Sequence, residues 1–261
     1  MEKQKLQIVK IGGNVINDEH ALNSFLKDFS ELNEPKILVH GGGKRASEIS
    51  SAMGLVSKMV NGRRVTNAET LEVVTMVYAG LLNKNITAKL QQFNCNAMGL
   101  TGADANVIIA HKRDINDVDY GFVGDIDKIN PEMISLLLEN KITPVFCAIT
   151  HNKKGQLLNT NADAIAAEMA IGMNKLFETE INYVFELQGV LKNIEDENSI
   201  IEKINLKKYK QLVDKGIIAN GMLPKLQNCF NALENGVGKV KIGDASLINS
   251  TTTKYTTLSL K

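Results

Sequence analysis

Two glycine-rich turns, each placed directly after a strand-like run, constrain the fold of this chain more than any other feature. Residues 5–11 run into the first pair of glycines, and residues 37–40 run into three more at 41–43. Because glycine has no side chain, a ligand can touch the main chain there, and a helix that begins after a strand offers unpaired N–H groups to an anion. Two such turns, the first with Lys10 beside it, indicate a bound polyphosphate.

Composition and charge exclude several classes of protein. The 261 residues include 30 basic and 29 acidic side chains, so the net charge of +1 creates no global field that favours nucleic acid or an anionic membrane. Apolar runs are far shorter than the ~18 residues of a membrane span, and the N-terminus lacks a signal-peptide segment. Cys95, Cys147 and Cys229 have no disulfide or metal spacing. We therefore expect a cytoplasmic protein with buried, unpaired cysteines.

Strand-like and helix-like patterns alternate along the chain, which predicts an α/β protein with a parallel sheet covered by helices. Residues 67–93 form the longest helical pattern, and their apolar face is wide enough to share a subunit interface. A helix is expected to begin at Pro131, and the glycines and aromatics of residues 119–125 suggest a hairpin. No flexible linker separates the halves, so we expect two lobes on one continuous sheet, residues 1–175 and 176–261.

Five motifs occur in one order along nearly the whole chain and carry a resemblance to the amino acid kinase family. They are Lys10-Ile11-Gly12-Gly13, His40-Gly41-Gly42-Gly43, Asn61-Gly62-Arg63-Arg64-Val65-Thr66, Asn159-Thr160-Asn161-Ala162-Asp163 and Gly221-Met222-Leu223-Pro224-Lys225. A single glycine turn recurs in many nucleotide sites, whereas five motifs at matching intervals are specific. Within the family, the set is similar to members that phosphorylate N-acetylglutamate. The chain has no Walker-type GxxxxGK[ST] motif.

The resemblance implies a three-layer αβα sandwich with a central, mostly parallel sheet. The first lobe would bind the acylglutamate and form the dimer contact, and the second would bind ATP. The implied reaction transfers a phosphoryl group from Mg-ATP to the side-chain carboxylate of N-acetyl-L-glutamate, giving N-acetylglutamyl 5-phosphate for arginine biosynthesis. Phosphoryl transfer is mostly positioning and charge neutralisation, and no general base is needed because the carboxylate is already ionised.

Three charged residues match the catalytic positions of the family. Lys10 would contact the transferring phosphoryl oxygens, and Lys225 would stabilise the leaving side. Asp163 would orient both lysines. From spacing alone the simpler readings are two solvated lysines and an acid that caps a helix or lies in its first turn. The family match favours the catalytic roles.

Four residues match the family's substrate-binding positions. Gly42 and Gly43 would bind the acylglutamate and the transferring group through main-chain N–H groups, although isolated glycines more often serve tight turns. Arg64 would grip the α-carboxylate with its bidentate guanidinium fork. Asn159 would bind the amino acid portion.

The nucleotide half departs from the family pattern. Where the family often has Asp-Val-x-Gly-Val, this chain has Glu186-Leu187-Gln188-Gly189-Val190, so the glycine is retained while its neighbours differ. Mg²⁺ is coordinated largely by phosphate oxygens and water, and we predict no protein ligand for it. The predicted ATP-binding residues are Gly12, Gly13, Glu186, Gly189, Ile217 and Ala219.

The acyl group of the substrate stays open, because some relatives work with N-succinyl instead of N-acetyl intermediates. A cation near the acyl group would favour the additional carboxylate, and Lys44, Arg45 and Arg63 are available. Family members inhibited by arginine tend to carry an extra N-terminal helix. Only a few residues precede the first strand of this chain, so we expect a homodimer without arginine feedback.

Other functions fit the sequence less well. Kinases of the same superfamily act on carbamate, aspartate or uridylate, but Arg64 and the motif at 159–163 favour an acylglutamate. A non-catalytic amino acid or nucleotide sensor is disfavoured because all three catalytic charges are intact. A dehydrogenase is disfavoured because no G-x-G-x-x-G follows the first strand.

Overall fold

The computed structural model describes residues 3–60, 63–219, 221–249 and 254–261. The first half begins with β1 (Lys5–Ile11), α1 (Gly13–Asn17), α2 (Glu19–Ser30), β2 (Lys36–His40), α3 (Gly43–Ala52), β3 (Met59–Val60) and β4 (Arg63–Arg64). It continues with α4 (Ala68–Thr75), a π-helical stretch (Met76–Leu82), α5 (Asn83–Gln92), β5 (Ala97–Leu100), β6 (Ile108–Lys112) and β7 (Val123–Ile129).

The second half contains α6 (Pro131–Glu139), β8 (Thr143–Phe146), β9 (Ile149–His151), β10 (Leu157–Thr160), α7 (Ala162–Met173), β11 (Glu178–Val184), β12 (Lys203–Asn205), α8 (Leu206–Asp214), α9 (Met222–Glu234), β13 (Lys239–Gly243) and β14 (Thr256–Ser259). Short 3₁₀ turns lie at Asp104–Asn106 and Ala245–Leu247. Within the described residues, no helix is both long enough and apolar enough to cross a membrane.

The central sheet confirms the predicted fold class. Its strands lie in the order β12-β14-β13-β11-β1-β2-β8-β5. Neighbouring pairs in the described sheet are parallel except β13 with β14. All five residues of β2 are buried, as expected for a strand that is covered on both faces.

Two helix predictions are confirmed by the positions of the helices and their caps. The helical stretch is unbroken from Ala68 to Gln92, with Asn67 capping α4 through its side chain, although the π-helical part in its middle was not expected. Helix α6 begins at Pro131, and Asn130 caps it. Proline suits the first helical turn because an N–H at that position has no partner within the helix.

The hairpin expected within residues 119–125 has wrong boundaries. The antiparallel pair is β6 with β7, and it belongs to a closed four-stranded barrel with β9 and β10. Residues 113–122 connect β6 to β7, and Gly121 bridges to Thr66 before β7 begins. Gly121 has φ +70°, so its glycine signal marks a backbone turn rather than the tip of a two-residue hairpin.

The glycine turn after β2 is packed against the long helical stretch. Gly42 has φ +157°, and a Cβ built there would lie 2.4 Å from Leu82 Cδ1 and 2.8 Å from Tyr78 Cδ1. Both side chains belong to the π-helical stretch. The tertiary contact therefore requires glycine at this position, in addition to the backbone conformation.

We expect Gly42→Ala to lower the free energy of unfolding by about 3 kcal/mol, because a methyl group there must push into a packed core. Gly54→Ala is the matched control, since Gly54 has φ +76° but no heavy atom within 4 Å of a built Cβ. Its cost should be about 1 kcal/mol, from backbone strain alone. Urea denaturation of both variants measures the difference, and equal losses would show that crowding at Gly42 is unimportant.

Candidate active site

The strand order creates a crevice at the carboxyl ends of three strands. The central strand β1 has β2 as its neighbour on one side and β11 on the other, so the strand order switches direction at β1. Ligands of parallel α/β sheets bind at such switch points. The turn after β1 is held there by a hydrogen bond of 2.9 Å from Gly12 N–H to the Val184 carbonyl oxygen.

Lys10, Asp163 and Lys225 gather at this edge from distant parts of the sequence. The Lys10 ammonium group lies 2.7 Å from Asp163 Oδ1, and the two side chains are only 12% and 16% exposed. Lys225, in the first turn of α9, interacts electrostatically with both of them. The structure thus brings together the three residues predicted to be catalytic, whose roles remain predictions.

The charges of the three groups depend on one another. Burial acts to raise the pKa of Asp163. The combined attraction to Lys10 and Lys225 outweighs this effect, so the pKa of the carboxyl is lowered overall. Burial also lowers the pKa of Lys225, with attraction to Asp163 opposing the shift and repulsion from Lys10 adding to it. The buried carboxylate therefore favours the protonated form of Lys225, against the effect of burial.

The start of α7 holds Asp163 in position. Asn161 caps the helix, because its Oδ1 accepts hydrogen bonds from the main-chain N–H groups of Asp163 and Ala164 at 2.8 and 3.1 Å. The Tyr183 hydroxyl donates to the Asp163 main-chain carbonyl oxygen at 3.0 Å. Asp163 is thus not the cap residue but lies in the first turn, and its carboxylate pairs with Lys10 instead of the helix end.

A cavity of about 220 Å³ lies beside these charges. Ala162, which precedes Asp163, lines it, and the Cβ of Ala162 would lie 3.8 Å from a Cβ built at Gly41. The cavity is therefore lined by the glycine turn and reaches the start of α7, next to Asp163. Its lining includes all four predicted substrate-binding residues, namely Gly42, Gly43, Arg64 and Asn159.

Arg64 is anchored to the protein from several sides. Its Nη2 donates to the Gly43 carbonyl oxygen and to Ser47 Oγ at 2.8 Å each, and its Nη1 donates to Ser57 Oγ at 2.6 Å. Asn159 Nδ2 donates to Thr66 Oγ1 at 3.0 Å. These bonds hold the guanidinium and amide groups on the cavity wall as rigid groups.

His40 supports the glycine turn from below. It is fully buried, and its Nδ1 donates to the Gly41 carbonyl oxygen at 2.8 Å. Its Nε2 accepts from Asn83 Nδ2 at 3.1 Å, and the same amide donates to the Val145 carbonyl oxygen at 2.9 Å. Burial lowers the pKa of His40 to about 4, so the imidazole is neutral at physiological pH.

Two polar residues of the cavity lining were missed by sequence reasoning. Tyr78 lies on the π-helical stretch, and its hydroxyl and Arg64 Nη2 would be 3.8 and 3.7 Å from a Cβ at Gly43. Arg113, at the end of β6, holds Asp125 through Nε at 2.9 Å and through Nη2. Tyr78 looked like one more residue of an apolar stripe, and Arg113 stood alone, so neither carried a recognisable local signal.

The predicted nucleotide residues are distributed over several loops. Gly12 and Gly13 follow β1, and Glu186 is exposed after β11, close enough to Lys225 to oppose slightly the lowering of its pKa by burial. A Cβ at Gly189 would lie 2.7 Å from Thr256 Oγ1, so packing alone requires that glycine. Half-buried Ile217 and exposed Ala219 follow α8. All six stay predictions. Asn61 and Gly62 of the third motif lie outside the described residues, as does Asn220, which precedes the last motif.

A mostly parallel α/β sheet with paired lysines and glycine turns at its carboxyl edge is typical of proteins that bind phosphorylated ligands. The sequence profile of the amino acid kinase family matches residues 5–244. The chain belongs to the amino acid kinase family.

Curated relatives and a solved structure agree with this membership. The chain is 53% identical over 260 residues to an acetylglutamate kinase from Cytophaga hutchinsonii, with 98% of each chain covered. It is 51% identical over 247 residues to an acetylglutamate kinase from Phocaeicola vulgatus, with 95% and 96% covered. The crystal structure of smu.665 from Streptococcus mutans superposes with a TM-score of 0.82 at 26% identity, covering 98% of this chain and 99% of that one.

The buried imidazole of His40 makes stability depend on pH. Its pKa of about 4 lies below the ordinary 6.5, so the unfolded chain binds more protons between these values and stability falls as pH drops through this window. We expect this group to lower the free energy of unfolding by about 2 kcal/mol between pH 7.5 and pH 5.0. Urea denaturation at both pH values measures the change.

His40→Gln should flatten this part of the stability profile, whatever its own stability at pH 7.5. The matched control is His20→Gln, the same replacement at an exposed position. The pKa values of Asp125 and Asp163 are lowered, so their contributions are lost at lower pH, below about 4. Equal slopes for His40→Gln and the original protein would contradict the assignment.

Proposed function

We propose that this protein is an ATP-dependent kinase that phosphorylates the side-chain carboxylate of N-acetyl-L-glutamate, in arginine biosynthesis. The observation that carries the proposal is the cluster of Lys10, Asp163 and Lys225 beside a cavity that Arg64 lines. The acetylglutamate kinases that are about half identical over almost the whole chain support the same substrate.

In this reaction a carboxylate oxygen of the substrate forms a bond to the γ-phosphorus of ATP, and the bond from that phosphorus to the β–γ bridging oxygen breaks. ADP leaves with the bond's electron pair. Both reactants are anions, so the protein must neutralise charge where they meet. The site supplies two lysines against one carboxylate, which leaves a net positive charge for the transferring group.

Each residue near the cavity has a distinct task in this proposal. Lys10 contacts the transferring phosphoryl oxygens, and Lys225 stabilises the charge that develops on the leaving oxygen. Asp163 orients both lysines and favours the protonated form of Lys225. Gly42 and Gly43 donate main-chain N–H groups to the substrate, and these donors are rigid because the turn is packed on its neighbours.

Arg64 and Asn159 hold the remainder of the acylglutamate. Arg64 faces the α-carboxylate, which suits a fixed guanidinium, and Asn159 binds the amide portion. Residues 1–175 would form the acylglutamate lobe, and residues 176–261 the ATP lobe. Gly12 and Gly13 line the phosphates in this arrangement, with Glu186, Gly189, Ile217 and Ala219 around the remainder of the nucleotide.

Magnesium would be carried on the triphosphate. The described residues contain no group of three or more His, Cys, Asp or Glu side chains that could hold a metal ion, and Asp163 is engaged by Lys10. Mg²⁺ bound to nucleotides takes much of its coordination from phosphate oxygens and water. We assign it no protein ligand.

We also propose that the protein is a cytoplasmic homodimer. Met76 and Leu81 are 53% and 39% exposed on the long helical stretch, which favours contact with a second copy. The three cysteines are buried and free, which suits a reducing compartment.

The decisive test is formation of an acyl phosphate that hydroxylamine traps. N-acetylglutamate should give ATP-dependent product, while aspartate and carbamate should not.

We expect Lys10→Ala and Lys225→Ala to lower turnover about 100-fold or more, because each removes charge stabilisation from the transition state. Lys44→Ala is the control, since Lys44 is exposed one residue after Gly43. Folded Lys10 and Lys225 variants with unchanged turnover would contradict the assigned roles.

A second candidate substrate is N-succinylglutamate, and one observation favours it. Arg63 and Arg113 line both the cavity of about 220 Å³ and a polar one of about 390 Å³ next to it. Nη1 of Arg113 is buried and has no hydrogen-bond partner among the described residues. An additional carboxylate on the acyl group would meet these guanidinium groups. Of the cations considered from the sequence, Arg45 instead pairs with Glu48.

The two acyl groups are distinguished by comparing kcat/KM for both substrates in the original protein and in Arg113→Lys. If the succinyl carboxylate binds Arg113, the variant should lose about 10-fold or more in kcat/KM for N-succinylglutamate and little for N-acetylglutamate. Arg45→Lys should change neither value. A preference for N-acetylglutamate that Arg113→Lys leaves intact would exclude the succinyl substrate.

A further inference from the structure

Phe185 lies at the carboxyl edge of the sheet although it belongs to none of the motifs. It follows β11 directly, and its side chain is 7% exposed. A Cβ built at Gly12 would lie 3.5 Å from the Phe185 Cβ, so the residue borders the glycine turn of the phosphate side. It also precedes Glu186, where the chain departs from the family pattern.

The ring of Phe185 faces a residue of the charged cluster. The Lys225 ammonium group lies over the ring, 4.6 Å from its centroid. The electron-rich face of an aromatic ring attracts a cation, and the attraction is stronger when both groups are shielded from water. Phe185 is buried and Lys225 is partly buried, so the contact is partly shielded from water.

Lys225 needs such support because its charged neighbours have opposite effects on its protonation. Asp163 on α7 and Glu186 after β11 favour its protonated form, and Lys10 on β1 opposes it. The Cys229 thiol on its own helix is the remaining titratable neighbour. The ion pair of Asp163 at 2.7 Å is made with Lys10, so that carboxylate is shared.

A neutral ring suits this position better than a second carboxylate would. Another buried acid would hold Lys225 more strongly, but it would repel the triphosphate that the lysine must meet. A ring face attracts the ammonium group without adding a negative charge to the nucleotide side.

We propose that Phe185 is a positioning residue that holds the Lys225 ammonium group over its ring, in place for the leaving oxygen of the nucleotide. The proposal rests on the proposed function and on the assigned role of Lys225. It concerns a residue outside the five motifs. It also explains why a buried aromatic residue precedes residues 186–190, the segment whose sequence differs from the family pattern.

The test replaces Phe185 by phenylalanines that carry one, two and three ring fluorines, which weaken the ring's attraction for a cation and change its shape little. We expect kcat to fall stepwise, by about 10-fold in total, while the acylglutamate KM stays within two-fold. The alkaline limb of kcat against pH should move to lower pH along the series, because the protonated form of Lys225 loses support.

Phe185→Leu and Phe185→Tyr extend the series with natural side chains. Leucine should behave like the most fluorinated ring, and tyrosine should retain most of the turnover and the original alkaline limb. The matched control is Phe230→Leu on α9, whose ring is also buried but packs on Tyr209 at 4.9 Å between centroids. Its alkaline limb should not move.

The outcomes separate this proposal from the proposed function. If Lys225→Ala is inactive but the fluorinated series keeps the original kcat and pH profile, the ring is only a packing group and the positioning role is wrong. If Lys225→Ala keeps full turnover, the role of Lys225 fails, and the role of Phe185 fails with it. If no acylglutamate is phosphorylated at all, the proposed function itself is wrong.

Discussion

The ion pair between Lys10 and Asp163 is the interaction on which the candidate active site depends. It joins the carboxyl end of β1 to the first turn of α7 across 2.7 Å, and its carboxylate also attracts Lys225. An isolated buried carboxylate tends to bind a proton, and an isolated buried lysine tends to lose one. Here the two lysines hold the pKa of Asp163 below its usual range, and Asp163 opposes the lowering of the Lys225 pKa by burial. The cluster thus places two lysines against one carboxylate where two anions must meet. The parallel sheet serves this cluster by bringing its members to one edge.

Close packing gives the substrate side its rigidity. The turn at Gly42 lies between β2 and the π-helical stretch, and the hydrogen bonds of His40 and Asn83 fix the carbonyl group of Gly41. π-Helical turns often occur at functional sites, and here one brings Tyr78 and Leu82 against a glycine. Main-chain donors held in this way need little reorganisation when charge develops on a ligand.

Local patterns predicted the helical elements well and the long-range contacts poorly. The helix over residues 67–93 and the start of α6 at Pro131 follow from periodicity and capping, which act over a few residues. The wrong boundaries of the hairpin have a long-range cause, because Gly121 turns in order to bridge to Thr66. Likewise Gly189 packs on Thr256, a contact that no local pattern contains. Arg113 and Tyr78 were missed for the same reason.

The sequence by itself determined the alternating α/β architecture, the family, and the residues that carry the predicted chemistry. Strand and helix periodicity and the motifs are features of short stretches of sequence, so they can be recognised without the tertiary structure. Only the tertiary structure decided which of these residues meet. The Lys10–Asp163 pair, the ring of Phe185 under Lys225, and the two arginines shared by neighbouring cavities each join segments far apart in sequence. Such contacts depend on the order of the strands and on burial. Burial shifts pKa values and strengthens electrostatic attraction, and a local sequence pattern specifies neither the strand order nor the burial.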